Sequence, residues 1–347
     1  METITYSRVD DLEVQLDLYL PPDVPQGPKG AIIFFHGGGM AAGGRKTLSY
    51  QAWLRDSTLD NNLIFISADY RLLLPSTGFD IIEDVKSLFT FLASSEFSAK
   101  NLPSGVTLDH TRLAVVGESG GGYPARAAGI YASPKPKAVM LQYGMGGQFL
   151  NDYWVSVKDP EHLAPAVKAV TRESLANLFD HPQYPISYDP IALMGDEPLY
   201  PGQEPSNRVM VIGYWIKTGE ILDQLLGEKL SDSLRRLPYE ERLKAIPENL
   251  HPAILQCQLK ADFPPTVLVH GTADTLILDE ESKLTSETLT QLGVKVELLL
   301  VEGAGHSLKD PEEQYVLPKP GEKPKLADGA QEVLDKAFAF VLGELQG

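Results

Sequence analysis

Ser119 stands in Gly117-Glu118-Ser119-Gly120-Gly121, directly after the apolar run Leu113-Ala114-Val115-Val116. A strand that stops at a glycine and turns sharply into a helix would hold this serine in a strained conformation, its hydroxyl clear of the sheet edge. Such a turn needs glycines two residues before and two after, because side chains there would strike the neighbouring strand and helix. A serine hydroxyl is a weak nucleophile at its own pKa and requires a base beside it. Three residues have the types for this: Ser119 to attack, His306 to take its proton, and Asp274 to accept the Nδ1 hydrogen of His306, leaving Nε2 free. His306 is the only one of seven histidines that follows the acid, and it sits in Gly303-Ala304-Gly305-His306. Glu302 and Asp279 are the rival acids, the first within a strand end and the second farther into a following helix. The chemistry such a set performs is acyl transfer.

A second cluster, His36-Gly37-Gly38-Gly39, follows the apolar run Ala31-Ile32-Ile33-Phe34-Phe35. Amides of Gly37, Gly38 and Gly39, with that of Gly120, are expected to meet a developing oxyanion. The run lacks both G-x-G-x-x-G spacing and a terminal Lys-Ser/Thr, which argues against a nucleotide cradle. His36 is read as a brace for its loop and His270 as a brace for its turn, while His110, His162, His181 and His251 have no motif around them and read as surface or packing residues. Met40, Met145, Leu276 and Ile277 adjoin the motifs and would line an apolar pocket; Phe149, Tyr153, Trp154, Tyr214 and Trp215 could add walls or belong to a core.

Each polar cluster lies just past a run that reads as a buried strand: 31–35, 63–68, 113–116, 138–143, 266–269 and 296–301. Helical stretches at about 47–57, 80–95, after Ser119, and at 329–344 alternate with them. Strands alternating with helices specify a parallel sheet covered on both faces, and ligands then bind beyond the carboxyl ends of the strands. Leu12 to Leu20 alternates apolar and polar, which fits a leading antiparallel edge strand. The alternation stops near Gly146. From there to about 262 the chain is rich in proline and aromatics, with helical patches near 159–170, 171–179, 206–228 and 239–246 and no core strand. The interval from Ser119 to Asp274 far exceeds one strand and its connection, so the expected organisation is a core of 1–146 and 263–347 with an inserted cap of 147–262. Residues 310–326, with Pro311, Pro318, Pro320 and Pro324, read as an exposed loop.

With these residues in view, the chain resembles an α/β-hydrolase of the hormone-sensitive-lipase-like carboxylesterase group. The likeness rests on His36 to Gly39, on Asp69-Tyr70-Arg71-Leu72 with Pro75, on Gly117 to Gly121, on His270 to Asp274 and on Gly303 to His306, and covers roughly 15–146 and 255–346. The order Ser119, Asp274, His306 is the triad order of that fold. The resemblance implies a mostly parallel sheet flanked by helices, a cap, an esterase activity needing neither metal nor cofactor, and an Arg71–Asp84 ion pair buttressing a loop. Two departures stand out. The helical N-terminal cap common in the group is not expected here, since strand-like segments fill the residues before His36. The group's alanine after the serine is here Gly120, read as a slight loosening of the elbow.

The formal charge of −17 opposes nucleic acid and anionic membrane surfaces as partners. No apolar run reaches bilayer length and the N-terminus lacks the pattern of a signal peptide, so a cytoplasmic location is expected. Cys257, the single cysteine, reads as a buried structural thiol. An edge strand offers a surface on which two copies could pair. The expected substrate is a small-molecule carboxylic ester with a small to medium apolar acyl group. The alternatives are a lyase or cyclase, or a lactone- or thioester-processing enzyme of specialised metabolism on the same scaffold, and a non-catalytic receptor, since scaffold does not fix chemistry.

Overall fold

The computed structural model describes residues 1–47, 51–159, 161, 163, 165–180, 184–189, 206–314 and 324–346. Eight strands form one sheet: β1 (Glu2–Val9), β2 (Leu12–Tyr19), β3 (Gly27–Phe35), β4 (Ile64–Ala68), β5 (Val106–Glu118), β6 (Ala138–Gln142), β7 (Thr266–Gly271) and β8 (Val296–Val301), in the order β1-β2-β4-β3-β5-β6-β7-β8. β1 and β2 make an antiparallel hairpin, β2 runs antiparallel to β4, and all remaining neighbours are parallel. This is the α/β-hydrolase arrangement expected from the alternation of strands and helices.

Because side chains alternate across a strand, each buried run feeds two cores. Ile33, Phe35, Ile66, Val115, Leu141 and Leu268 face one side, with the helices Gly78–Ala93 and Gly122–Tyr131 over them. Ile32, Phe34, Phe65, Val116, Met140 and Val269 face the other, under the helices Ala52–Asp60 and Ala330–Gln346. The helix Gly78–Ala93 starts at Thr77, whose backbone N–H donates to the Asp80 carboxylate at 2.8 Å, a capping-box contact.

Several boundaries differ from the sequence reading. β5 begins at Val106 because Gly27–Lys29 pairs with Val106–Leu108 ahead of a bulge, and the polar residues 109–112 interrupt the apolar run that marks 113–116. The segment read as one helix over 206–228 is two, Val209–Thr218 and Ile221–Leu226, separated where Gly219 takes a left-handed φ of 69° and caps the first. Between β6 and β7 the described residues carry helices and no strand. Cys257 is exposed rather than buried, on a short turn of 3₁₀ helix between half-buried neighbours. His162, His181, Pro318 and Pro320 lie outside the described residues.

The Arg71–Asp84 pair is present, with Nε to Oδ1 at 2.9 Å and the Arg71 backbone N–H donating to Oδ2 at 2.7 Å. Arg71 also reaches Asp80 at 2.7 Å, and the Asp84 side chain is only 1% exposed. Burial pushes the Asp84 carboxyl above the usual carboxylate range although Arg71 pulls it back. Arg71→Met removes that pull. The variant should lose about 3 kcal/mol at neutral pH, the usual cost of leaving a buried charge unpaired. A carboxyl with a raised folded pKa favours the fold most at low pH and loses that contribution as pH rises through the folded value. Urea unfolding at pH 5 and pH 7.5 should therefore show the larger deficit at pH 7.5; equal deficits would mean that Asp84 is not the group left unpaired.

Candidate active site

The nucleophile position is built by β5 running into the helix Gly122–Tyr131 through a single turn of 3₁₀ helix at Ser119–Gly121. Ser119 has φ of 48°, a conformation that an L residue adopts only when its surroundings impose it. The surroundings leave no room for side chains at the flanking glycines. A Cβ on Gly117 would lie 2.2 Å from Gly121 O, and one on Gly121 would lie 2.0 Å from Phe35 O.

Asp274 and His306 follow β7 and β8 and meet the serine above the sheet edge. His306 Nε2 lies 3.1 Å from Ser119 Oγ, and His306 Nδ1 lies 2.7 Å from Asp274 Oδ2. Asp274 Oδ1 accepts the amides of Leu276 and Ile277 at 2.9 and 3.0 Å. Burial alone would raise the Asp274 carboxyl, but the charge of the His306 imidazole, with hydrogen bonds from His270 and His306, outweighs it and holds the carboxyl well below the usual carboxylate range. Asp279 instead pairs with Lys283 at 2.7 Å and Glu302 is exposed, so neither rival acid reaches the histidine. His270 braces the acid's turn through Ser282 Oγ and Ile277 O, both at 2.8 Å.

Above the serine, the loop after β3 folds back through Gly38 and Gly39, whose φ values are 91° and 60°. Gly38 O accepts the amides of Ala41 and Ala42, which closes the turn. His36 is a brace: burial pushes its ring down to about 4, so it is neutral, with Nδ1 2.8 Å from Gly37 O and its ring stacked on Tyr70 at 4.4 Å. Of the expected oxyanion donors, Gly37 needs correction. Its amide is directed to the Glu118 carboxylate, 3.4 Å away, and so is turned from the reacting side. The amides that border the residue after the serine are those of Gly39 and Met40, which lie 2.6 and 2.4 Å from where a Cβ on Gly120 would stand. Among the described residues neither amide donates to any acceptor.

The remaining sequence candidates divide. Met40, Met145 and Ile277 are buried and Leu276 is half-buried. The Met145 amide donates to Ser119 O at 2.8 Å, so Met145, Leu276 and Ile277 all hold catalytic-site backbone or acid in place. Phe149 and Trp154 pack edge to face at 5.2 Å in the core, and Trp154 Nε1 donates to the buried Glu281 at 2.6 Å. Among the described residues no group of three or more His, Cys, Asp and Glu could hold a metal, and no helix is long and apolar enough to cross a membrane.

Two buried groups near Ser119 and His306 escaped the sequence reading. Glu118 accepts from Gln51 Nε2 at 2.6 Å and from the Tyr143 hydroxyl at 3.2 Å, and the Tyr143 ring meets His306 edge-on at 5.0 Å. Burial raises the Glu118 carboxyl, opposed by hydrogen bonds from Gln51, the Gly37 amide and Tyr143. Its place inside the elbow motif was visible, but its partners come from three separate elements. The second is Ile212, far away in sequence, whose Cγ1 lies 2.1 Å from where a Cβ on Gly39 would stand.

Comparisons with known proteins bear on the fold. The BD-FAE family model matches residues 16–152. The non-reducing polyketide synthase pkbA of Emericella nidulans is 26% identical across 100% of the chain, which spans only 14% of that synthase's length. A protein of Phoma sp. named "Probable carboxylesterase M8" is 33% identical over 40% of the chain and 45% of its own length. The butyrate-bound structure of the Thermogutta terrifontis esterase Est2 shares the fold, with a TM-score of 0.55 at 20% identity over 99% of this chain and 93% of that one. These matches show that the chain has the α/β-hydrolase fold.

Proposed function

We propose that the protein is a serine hydrolase that cleaves carboxylic esters by way of an acyl-enzyme. The observation that carries this reading is the continuous pair of contacts from Ser119 Oγ through His306 to Asp274, at 3.1 and 2.7 Å. Ser119 Oγ attacks the ester carbonyl as His306 Nε2 takes its proton; the carbonyl oxygen gains the negative charge and is met by the amides of Gly39, Met40 and Gly120. When the tetrahedral adduct collapses, His306 returns that proton to the departing alkoxide and the acyl group stays on Ser119. Water, deprotonated by His306, then attacks the acyl carbonyl, and as the bond to Ser119 breaks His306 returns that proton to Ser119 Oγ and the acyl group leaves as a carboxylic acid. Asp274 holds the imidazole in the required tautomer and balances the imidazolium. Residues 147–262 serve as the cap, and a small to medium apolar acyl group is the substrate class that the buried Met40, Met145 and Ile277 favour.

A second substrate reading rests on the match of the whole chain to 14% of a polyketide synthase. Acyl groups of the kind such synthases build, carried as thioesters, would enter the same steps with a thiolate leaving in place of the alkoxide. Initial rates on p-nitrophenyl esters from acetyl to decanoyl, compared with matched thioesters, test both readings, and a fluorophosphonate probe should label Ser119 stoichiometrically. The expected result is a short-chain optimum. A rate that peaks on emulsified long-chain triglyceride would overturn the size class, and an unlabelled Ser119 would overturn the mechanism.

A further inference from the structure

The helix Val209–Thr218 leans on the glycine loop at one point and is tied to it at another. Gly39 has no side chain, and the space where one would stand is filled by Ile212: its Cγ1, Cδ1 and Cβ lie 2.1, 2.4 and 3.1 Å from that position. One turn earlier, the buried Arg208 donates to three carbonyls of the loops around the site, Ala41 O at 2.9 Å, Leu73 O at 2.7 Å and Leu74 O at 2.5 Å. The Leu73 amide in turn donates to Met40 O at 2.7 Å. Arg208, Leu73, Met40 and Ala41 thus form a closed ring of contacts around the segment that carries the Gly39 and Met40 amides.

We propose that Ile212 determines specificity by limiting the bulk a substrate can carry next to its reacting carbonyl, and that Arg208 is the positioning residue that fixes Ile212 there. The inference rests on the reading of Ser119 as nucleophile and the Gly39 and Met40 amides as oxyanion donors. On that reading a carbonyl oxygen held by those amides sets its neighbouring carbon beside Gly39, the residue against which Ile212 packs. A β-branched side chain on a helix has essentially one χ1 rotamer, so the wall is stiff and cannot swing aside at low cost. The guanidinium fork suits Arg208 to three diverging acceptors in a way that a lysine ammonium does not.

The test compares selectivity, not activity alone. For wild type and Ile212→Ala, kcat/KM is measured on p-nitrophenyl butyrate and on p-nitrophenyl pivalate, which is fully branched beside the carbonyl. In parallel, the rate of Ser119 labelling is measured with a methyl and a tert-butyl fluorophosphonate. Ile212→Ala should raise the pivalate-to-butyrate ratio, and the tert-butyl-to-methyl labelling ratio, by roughly tenfold or more, the scale of discrimination that a few methylenes in a pocket supply. Arg208→Lys should move both ratios in the same direction by a smaller factor, whereas a merely structural arginine would lower all rates together and leave the ratios fixed. Labelling that proceeds with unchanged ratios in Ile212→Ala would overturn the wall while leaving the serine mechanism standing. Absence of labelling and of turnover in folded wild type would overturn the mechanism, and the wall with it.

Discussion

Ser119→Ala should lower kcat on the best p-nitrophenyl ester by on the order of 10⁶, and His306→Ala by a similar factor, because a serine–histidine pair acts as a unit and either loss removes the nucleophilic path. The same reasoning predicts that the double variant is no worse than either single one. Asp274→Asn should cost about 10⁴, since the amide holds the imidazole in the wrong tautomer without moving it. Circular dichroism and unfolding midpoints should stay near wild type for Ser119→Ala, whose hydroxyl makes no contact that the fold depends on apart from His306. Retention of most of the activity in any of the three would remove the mechanism. The acid's electrostatics add a pH condition. A carboxyl with a depressed folded pKa contributes stability at pH above its unfolded value and loses it only as pH falls through the folded value. Asp274 is held well below the usual range, so it remains ionised in the folded enzyme at pH 5. Activity lost between pH 7 and pH 5 must then come from a group other than Asp274.

How much of this was legible in the sequence depends on whether the cause was local. Ser119, Asp274 and His306 each sit where an apolar strand ends, and a parallel sheet brings such ends to one edge, so the meeting of these three side chains could be read from motif and order alone. β5 was read too short because pairing at Val106–Leu108 is set by its neighbour β3, not by its own hydrophobicity. The break at Gly219 lies in the short polar run Lys217-Thr218-Gly219-Glu220 between two apolar helical stretches, and a lone glycine there carries no sign of its φ. The Gly37 amide, expected at the oxyanion, is drawn towards Glu118, a residue 81 positions away, and that contact exists only once β3 and β5 lie side by side. Ile212 and Arg208 were invisible for the same reason, since their partners at Gly39, Ala41 and Leu73 lie on the far side of the chain's longest excursion from the sheet.

Gly120→Ala should reduce kcat by about 10² to 10³, the scale of one lost oxyanion donor. The sequence reading assigns Gly120 the role of slack in the elbow, and on that view an alanine would tighten the turn and leave activity equal or higher. The structure argues for the opposite sign. A Cβ at this position would stand 2.4 Å from Met40 N, 2.6 Å from Gly39 N and 2.7 Å from Gly39 Cα, all of them backbone atoms without a rotamer to give way. The loop cannot retreat freely, because the Leu73 amide holds Met40 O, Arg208 holds Ala41 O, and Ile212 packs closely against Gly39. The two amides must therefore tilt or separate from the serine, and the loss falls on the transition state, where the oxygen is charged, more than on the bound ester. The expected signature is a large fall in kcat with KM changed little, together with slower phosphonylation of Ser119, because the phosphoryl oxygen uses the same donors. Overpacking of this kind also costs stability, typically 1 to 3 kcal/mol, so rates are compared well below the unfolding transition of the variant. Activity within twofold of wild type would show that the glycine loop moves aside at no cost, and would shift the oxyanion hole away from Gly39 and Met40.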